Sequence, residues 1–175
     1  VVGLPPMARM RTGSRAWLSL ELRPRFVDHR FGWRIGDVPA ASHPTVAAAL
    51  AHVGGAEPDD VVWDPFVGSG GELCERAQLG PAAAYFGTDR DPDAISVASK
   101  NLRAAGVTAT LRCGDARDFA PDPPASLILS NPPMGRRLMR EAGQVRQLLV
   151  DILRQTARTL APGGRLVWTS AHPTE

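Results

Sequence analysis

The sequence predicts an α/β domain built on a mostly parallel sheet with helices on both faces. Short β-rich runs alternate with helix-periodic segments from residue 61 to residue 170, and that alternation calls for crossovers between parallel strands. Polar or glycine-rich elements follow four successive strands, at residues 64–70, 89, 114–116 and 131–134. The length, 175 residues with 43% hydrophobic, suits one core, large enough to bury about two-thirds of the unfolded surface.

The elements follow in order. Val61-Val62-Trp63 is the first strand, ending at Asp64. Residues 72–79 place Leu73, Cys74 and Ala77 on one helical face, with Gly80-Pro81 as the stop. Residues 82–88 form the second strand, closed by Asp89. Asp91 caps the next helix and Pro92 takes its first position. Ala94, Ile95, Ala98, Leu102 and Ala105 are its inner face, and Gly106 ends it. Residues 107–112 are the third strand and 126–130, after a proline-rich turn, the fourth. Val145, Leu148, Leu149, Ile152, Leu153 and Leu160 mark a long amphipathic helix. Pro162-Gly163-Gly164 breaks it before a fifth strand over 165–170. Upstream, residues 44–53 form a helix stopped by Gly54-Gly55, and residues 16–22 and 26–35 pair as a hairpin around Arg23-Pro24.

Composition narrows the function class. No apolar run approaches the roughly 18 residues of a membrane span, and no basic-then-apolar leader opens the chain. Cys74 and Cys113 supply neither a disulfide framework nor a four-thiolate zinc site, and both are expected to be small buried hydrophobes. The expectation is a cytoplasmic protein without a metal or membrane partner. A net charge of +2 conceals a partition. Residues 1–34 hold seven arginines against two acids, and residues 57–122 hold twelve acids against six bases. Residues 135–158 hold six arginines against two acids. An acidic middle between basic ends suits a small-molecule pocket flanked by polyanion-facing surfaces.

Parallel sheets bind ligands beyond the carboxyl ends of their strands, so the strand-end residues are the candidates. Gly68-Ser69-Gly70 lets a ligand approach the backbone at a helix N-terminus. The loop is no dinucleotide fingerprint, because Leu73 stands where a third glycine is required, and it lacks the Gly-Lys-Ser/Thr of a phosphate-binding loop. Ser69 is not in a nucleophile elbow, since Val67 replaces the first glycine. Asp89 can accept both hydroxyls of a ribose, and Asp91 already fills the helix-cap role. Asp115 can accept from an adenine amino group. In Asn131-Pro132-Pro133-Met134, two prolines stiffen the backbone so that the Asn131 amide oxygen and the Pro132 carbonyl converge on one spot. Two such acceptors suit an exocyclic amine, whose nitrogen must become pyramidal to attack.

As a set, Asp64-Pro65-Phe66-Val67-Gly68-Ser69-Gly70, Gly87-Thr88-Asp89-Arg90-Asp91, Asp115-Ala116 and Ser130-Asn131-Pro132-Pro133-Met134-Gly135-Arg136-Arg137 resemble the class I S-adenosylmethionine-dependent methyltransferases. The run from Asn131 to Arg137 and the upstream His43-Pro44-Thr45-Val46-Ala47-Ala48-Ala49-Leu50-Ala51 are most similar to the THUMP-associated RNA guanine-N2 branch. The resemblance covers residues 18–170 and implies a Rossmann-like three-layer sandwich with strand order 3-2-1-4-5. It implies that Asp64, Pro65, Gly68, Ser69 and Gly70 hold the methionine part of S-adenosylmethionine, and that Asp89 and Arg90 hold its ribose side. Asp115 and Ala116 would hold its adenine, and Thr45 would help to cover it. Asn131, Pro132, Pro133 and Met134 would receive a flipped-out base. Arg136 and Arg137 would contact the RNA backbone.

The implied activity is methylation of an exocyclic amine in tRNA or rRNA by a monomer, guanine N2 foremost. Adenine N6 of DNA or RNA, a protein glutamine, or a fold that binds without turnover are the alternatives. Two departures stand out. Met134 replaces the family's usual aromatic ring, forgoing base stacking worth about 1–3 kcal/mol in single-strand binders. The chain is also short for the family. Residues 1–40 are therefore expected to be an Arg-rich segment or hairpin leading to an RNA-binding module. Residues 41–175 would be the catalytic domain, without the strands that follow strand five.

Overall fold

The computed structural model describes residues 31–133 and 142–170. Its elements are α1 (Pro44–Gly54), β1 (Val61–Asp64), α2 (Gly71–Gln78), β2 (Ala84–Asp89), α3 (Pro92–Ala104), β3 (Thr110–Cys113), a 3-10 turn (Ala116–Asp118), β4 (Ala125–Ser130), α4 (Ala142–Thr159) and β5 (Leu160–Trp168). The strands form one sheet in the order β3-β2-β1-β4-β5, and every ladder is parallel. This is the predicted strand order.

Side-chain alternation along the strands divides the core into two layers. Val62, Leu127 and Leu129 face one way and pack with Ala51, Leu73, Cys74, Ala98 and Leu102 from α1, α2 and α3. Trp63 and Ile128 face the other way, onto Phe119 and Ile152 of α4. Trp63, Leu73, Leu127 and Ile128 are fully buried, and truncating such a leucine to alanine costs about 2–5 kcal/mol.

The helix ends are built as their residues dictate. His43 caps α1 with Pro44 behind it, and Asp91 caps α3 by accepting from the Asp93 N–H at 2.9 Å. At the far end of α3, Gly106 adopts φ +72°. Its N–H reaches Arg103 O at 3.1 Å, and Val107 N–H reaches Leu102 O at 2.8 Å, the paired bonds of a Schellman motif.

Several expectations need correction. The third strand starts at Thr110 rather than 107, because Val107 is spent on closing α3. The fifth starts earlier than 165. Leu160 pairs with Ala125, and pairing resumes at Arg165 with Leu127, so the Pro162-Gly163-Gly164 breaker interrupts a strand rather than separating it from the helix. The described part of the expected 26–35 strand is a turn, with Arg34 N–H on Phe31 O at 3.0 Å. Residues 16–22 of that hairpin lie outside the described residues.

The compact unit that carries the sheet begins at Phe31. Trp33 sits in the core and donates to Glu75 Oε1 at 2.6 Å. Cys74 is buried, and burial pushes its thiol up to about 12. Cys113 is exposed, contrary to expectation. Among the described residues no helix is long and apolar enough to cross a membrane.

Candidate functional site

A cleft of about 610 Å³ opens at the carboxyl ends of β1, β2 and β4, within the usual range of about 300–1,000 Å³ for small-molecule sites. Gly68, Ser69, Asp89, Asn131, Pro132 and Pro133 all line it, as do Glu72 and the strap of residues 38–42. A second hollow, of about 550 Å³, lies where α2 and α3 run into β2 and β3 and carries no charged lining residue. The chemistry is concentrated in the first.

The glycine loop is shaped by its neighbours. Gly68 and Gly70 hold φ of +49° and +83°, conformations that L side chains rarely adopt. A Cβ on Gly87 would stand 2.8 Å from both Val67 Cγ2 and Leu111 Cδ2, so only glycine lets the loop lie this close to β2. Val67 N–H bonds Thr88 O at 2.9 Å, and the Thr88 hydroxyl donates to Pro65 O at 3.0 Å. Asp89 accepts the Gly68 N–H at 2.9 Å through Oδ2 and the Asp91 N–H at 3.0 Å through Oδ1. Each oxygen keeps a lone pair for a ligand.

Asn101, which sequence reasoning missed, fastens this loop to the segment that leads into the strap. Its Oδ1 accepts from Ile35 N–H and Gly36 N–H at 3.0 and 2.9 Å. Its Nδ2 donates to Gly36 O and Ser69 O at 2.9 and 2.8 Å. Every hydrogen-bonding position of this buried amide is used.

Beneath the loop, Asp64 is fully buried. Its Oδ1 accepts from Phe66 N–H and the Ser130 hydroxyl, both at 3.0 Å, while Oδ2 has no partner among the described residues. Burial, reinforced by the negative charge of Glu72, pushes its carboxyl well above the usual range. Glu72 is raised too, by burial, against the opposing pull of the Ser42 hydroxyl. Two carboxylates held toward neutrality form a site in which an incoming positive charge would be stabilised.

Asn131 stands across the cleft with both ends of its amide engaged. Nδ2 donates to Ser42 Oγ at 2.9 Å, Ser42 donates in turn to Glu72 Oε1, and the Thr169 hydroxyl donates to Asn131 Oδ1. Ser42, Glu72 and Thr169 were not foreseen. Each of the three acts on a partner at least 30 residues away in the chain.

Other predicted residues stand elsewhere. Asp115 accepts from Arg117 Nη2 at 2.6 Å and from Arg90. The Arg117 guanidinium outweighs burial and, with Arg90, holds its carboxyl far below the usual range. Asp115, Arg90 and Ala116 do not line the cleft, and Ala116 packs in the α4-side core. Thr45 is exposed and bonds His43 Nδ1 through its hydroxyl at 2.7 Å. The strap, not Thr45, walls the cleft. Met134, Arg136 and Arg137 lie outside the described residues.

Against known proteins, the family model described as RMKL-like, methyltransferase domain, matches residues 31–174. The chain belongs to this methyltransferase family. The methyltransferase domain is 34% identical over 177 aligned residues to the tRNA (guanine(6)-N2)-methyltransferase of Thermus thermophilus, covering 96% of this chain and 51% of that protein. It is 28% identical to the tRNA (guanine(10)-N2)-dimethyltransferase of Methanothermobacter thermautotrophicus, covering 77% of this chain and 40% of that one. The crystal structure of TrmN from Thermus thermophilus superposes with a TM-score of 0.65 at 30% identity, over 87% of this chain and 45% of that one. The methyltransferase domain thus spans about half the length, or less, of these relatives.

Proposed function

We propose that the protein transfers a methyl group from S-adenosylmethionine to an exocyclic amine of a base in structured RNA, guanine N2 of tRNA or rRNA foremost. The observation that carries this reading is the position of Asn131 and Pro132 on the wall of the cleft whose other side is the Gly68–Asp89 cradle. Its relatives' tRNA guanine-N2 activities support the choice of base and substrate.

The residues fit the cofactor. The unpartnered Asp64 oxygen and the buried Glu72 carboxyl suit its positive charge. Gly68, Ser69 and Gly70 offer close backbone approach for the methionine part, and Asp89 offers lone pairs to the ribose. Arg90 and Asp115 would border the adenine. S-adenosylmethionine supplies an electrophilic methyl on a cationic sulfur.

Asn131 Oδ1 and the Pro132 carbonyl accept the two amine hydrogens, which draws the nitrogen lone pair out of conjugation and aims it at the methyl. Bound S-adenosylmethionine would supply the methyl and leave as the neutral thioether, and the amine nitrogen would give up one proton to water. Such acceptors grip the pyramidal nitrogen of the transition state more tightly than the planar amine. Met134 would bound the base without stacking, and Arg136 and Arg137 would meet RNA phosphates. RNA selection would rest with a module joined through the Arg-rich N-terminal segment, in a cytoplasmic monomer.

The test is labelled methyl transfer to total tRNA, rRNA, DNA and protein, followed by product identification. N2-methylguanosine is expected. Methyladenine or methylglutamine would overturn the choice of target, and absent cofactor binding at millimolar concentration would overturn the activity. Asn131→Ala is expected to abolish transfer while cofactor affinity stays within several-fold.

A further inference from the structure

An asparagine amide is nearly symmetrical in shape, yet only its oxygen can accept an amine hydrogen. If Asn131 turned over, its NH2 group would face the substrate amine and repel it. What holds it the right way round is therefore part of the chemistry.

We infer that Ser42 and Thr169 are positioning residues that set the orientation of the Asn131 amide, an inference that rests on the role proposed for Asn131. The direction begins at Glu72, whose Oε1 accepts a hydrogen bond from the Ser42 hydroxyl. With its proton committed, Ser42 presents only lone pairs to Asn131, and these take the Nδ2–H at 2.9 Å. Oδ1 then turns toward β5, where the Thr169 hydroxyl donates to one of its lone pairs and leaves the other for the substrate. Thr169 is itself fixed by its backbone, since its N–H continues the β4–β5 ladder onto Ser130 O at 3.1 Å. Ser42 is fixed because Arg34 Nη1 holds its carbonyl at 3.0 Å. The two hydroxyls come from segments far apart in the chain, one from the strap and one from the residue that follows β5, and grip one side chain between them.

Two measurements test this. The chain contains two asparagines, Asn101 and Asn131, so 15N-asparagine labelling yields two side-chain amide signals without any substrate. Slow hydrogen exchange is expected for both. Ser42→Ala and Thr169→Val should accelerate exchange at Asn131 at least tenfold and leave the fully bonded Asn101 unchanged, whereas Ser42→Thr and Thr169→Ser should restore protection. Unchanged exchange at Asn131 in both truncations would overturn the inference.

The second measurement is steady-state transfer to unfractionated tRNA from S-adenosylmethionine. Both truncations should lower kcat about tenfold or more with cofactor affinity within twofold. A weakened cofactor affinity with unchanged kcat would make Ser42 a wall of the cofactor cleft and overturn its positioning role. Full activity of Asn131→Ala would instead overturn the functional reading, while the exchange result would still judge the orientation.

Discussion

Two buried carboxylates mark the ends of β1, Asp60 just before it and Asp64 as its last residue. Each accepts a serine hydroxyl and a backbone N–H, but only one is met by cations. Asp60, just before the strand, accepts from Arg76 at 2.8 Å, Arg165 at 2.8 Å, the Ser126 hydroxyl at 2.7 Å and the Glu57 N–H at 2.9 Å. Burial opposes its ionisation, but Arg76, Glu57, Ser126 and Arg165 together outweigh that and hold its carboxyl far below the usual range. Asp64, at the strand's other end, has no cation among its hydrogen-bond donors and one orphaned oxygen. One end is electrostatically complete. The other keeps an oxygen free for the cationic cofactor proposed above, so that reading separates holding the fold from holding a ligand along a single strand.

The largest expected effect tests the complete end. Arg76 and Asp60 are both buried, and removing one partner of a buried pair costs about 3–5 kcal/mol. Arg76→Met should lose that much in urea denaturation, with little change in cofactor affinity among the molecules that remain folded. A loss under about 1 kcal/mol, or a selective loss of cofactor binding, would break the contrast.

A smaller effect reads the incomplete end through pH. Asp64 and Glu72 bind protons more tightly folded than unfolded. From the ordinary carboxylate range up to their raised values the folded state therefore holds more protons, and stability falls as pH rises. Asp60 acts with the opposite sign. Its contribution is present above the ordinary carboxylate range and is lost as pH falls through its depressed value. Unfolding free energies measured across pH should decline on the alkaline side of that range. Asp64→Asn should flatten the decline, since an amide binds no proton in this range. An undiminished decline in Asp64→Asn would reassign it.

The smallest effect concerns strain at the ligand end. Ala40, on the cleft-lining strap, has φ +65° in a turn closed by Ala41 N–H on Val38 O at 3.1 Å. The left-handed region costs an L residue about 1–2 kcal/mol, and glycine gives back roughly half of that gain as chain entropy. Ala40→Gly should raise stability by about 0.5–1 kcal/mol in the same denaturation assay. A loss would show that the turn is unstrained.

What could be read from the sequence follows the same division between local and distant causes. Asp64, Gly68, Asp89 and Asn131 were legible because each directly follows a β-rich run, and the parallel topology brings strand ends together. Asp91-Pro92 and Gly106 announced the limits of α3 because caps act within one turn. Asn101, Ser42, Glu72 and Thr169 were not legible. Their partners lie across the fold, as in the link from Asn131 to Ser42, and nothing in a helix-periodic run marks one polar position as clasping a loop. Trp33 read as part of a hairpin because its partner Glu75 sits 42 residues away. The early start of β5 was hidden by Pro162-Gly163-Gly164, a breaker motif that here interrupts register without ending the strand.

The strap also bears on how the protein is made. Ser42 leaves the ribosome 89 residues ahead of Asn131, an interval of about 5–20 s at ordinary elongation rates. Thr169 comes later still. Glu72, the partner of Ser42, follows it by 30 residues, and Asn101 follows Gly36 by 65, so both partners precede Asn131 in the growing chain. Translation therefore supplies the partners of the glycine loop and of Ser42 before it supplies Asn131 and Thr169. A nascent chain holds the residues of the cleft's first wall before it has the last group that bonds Asn131.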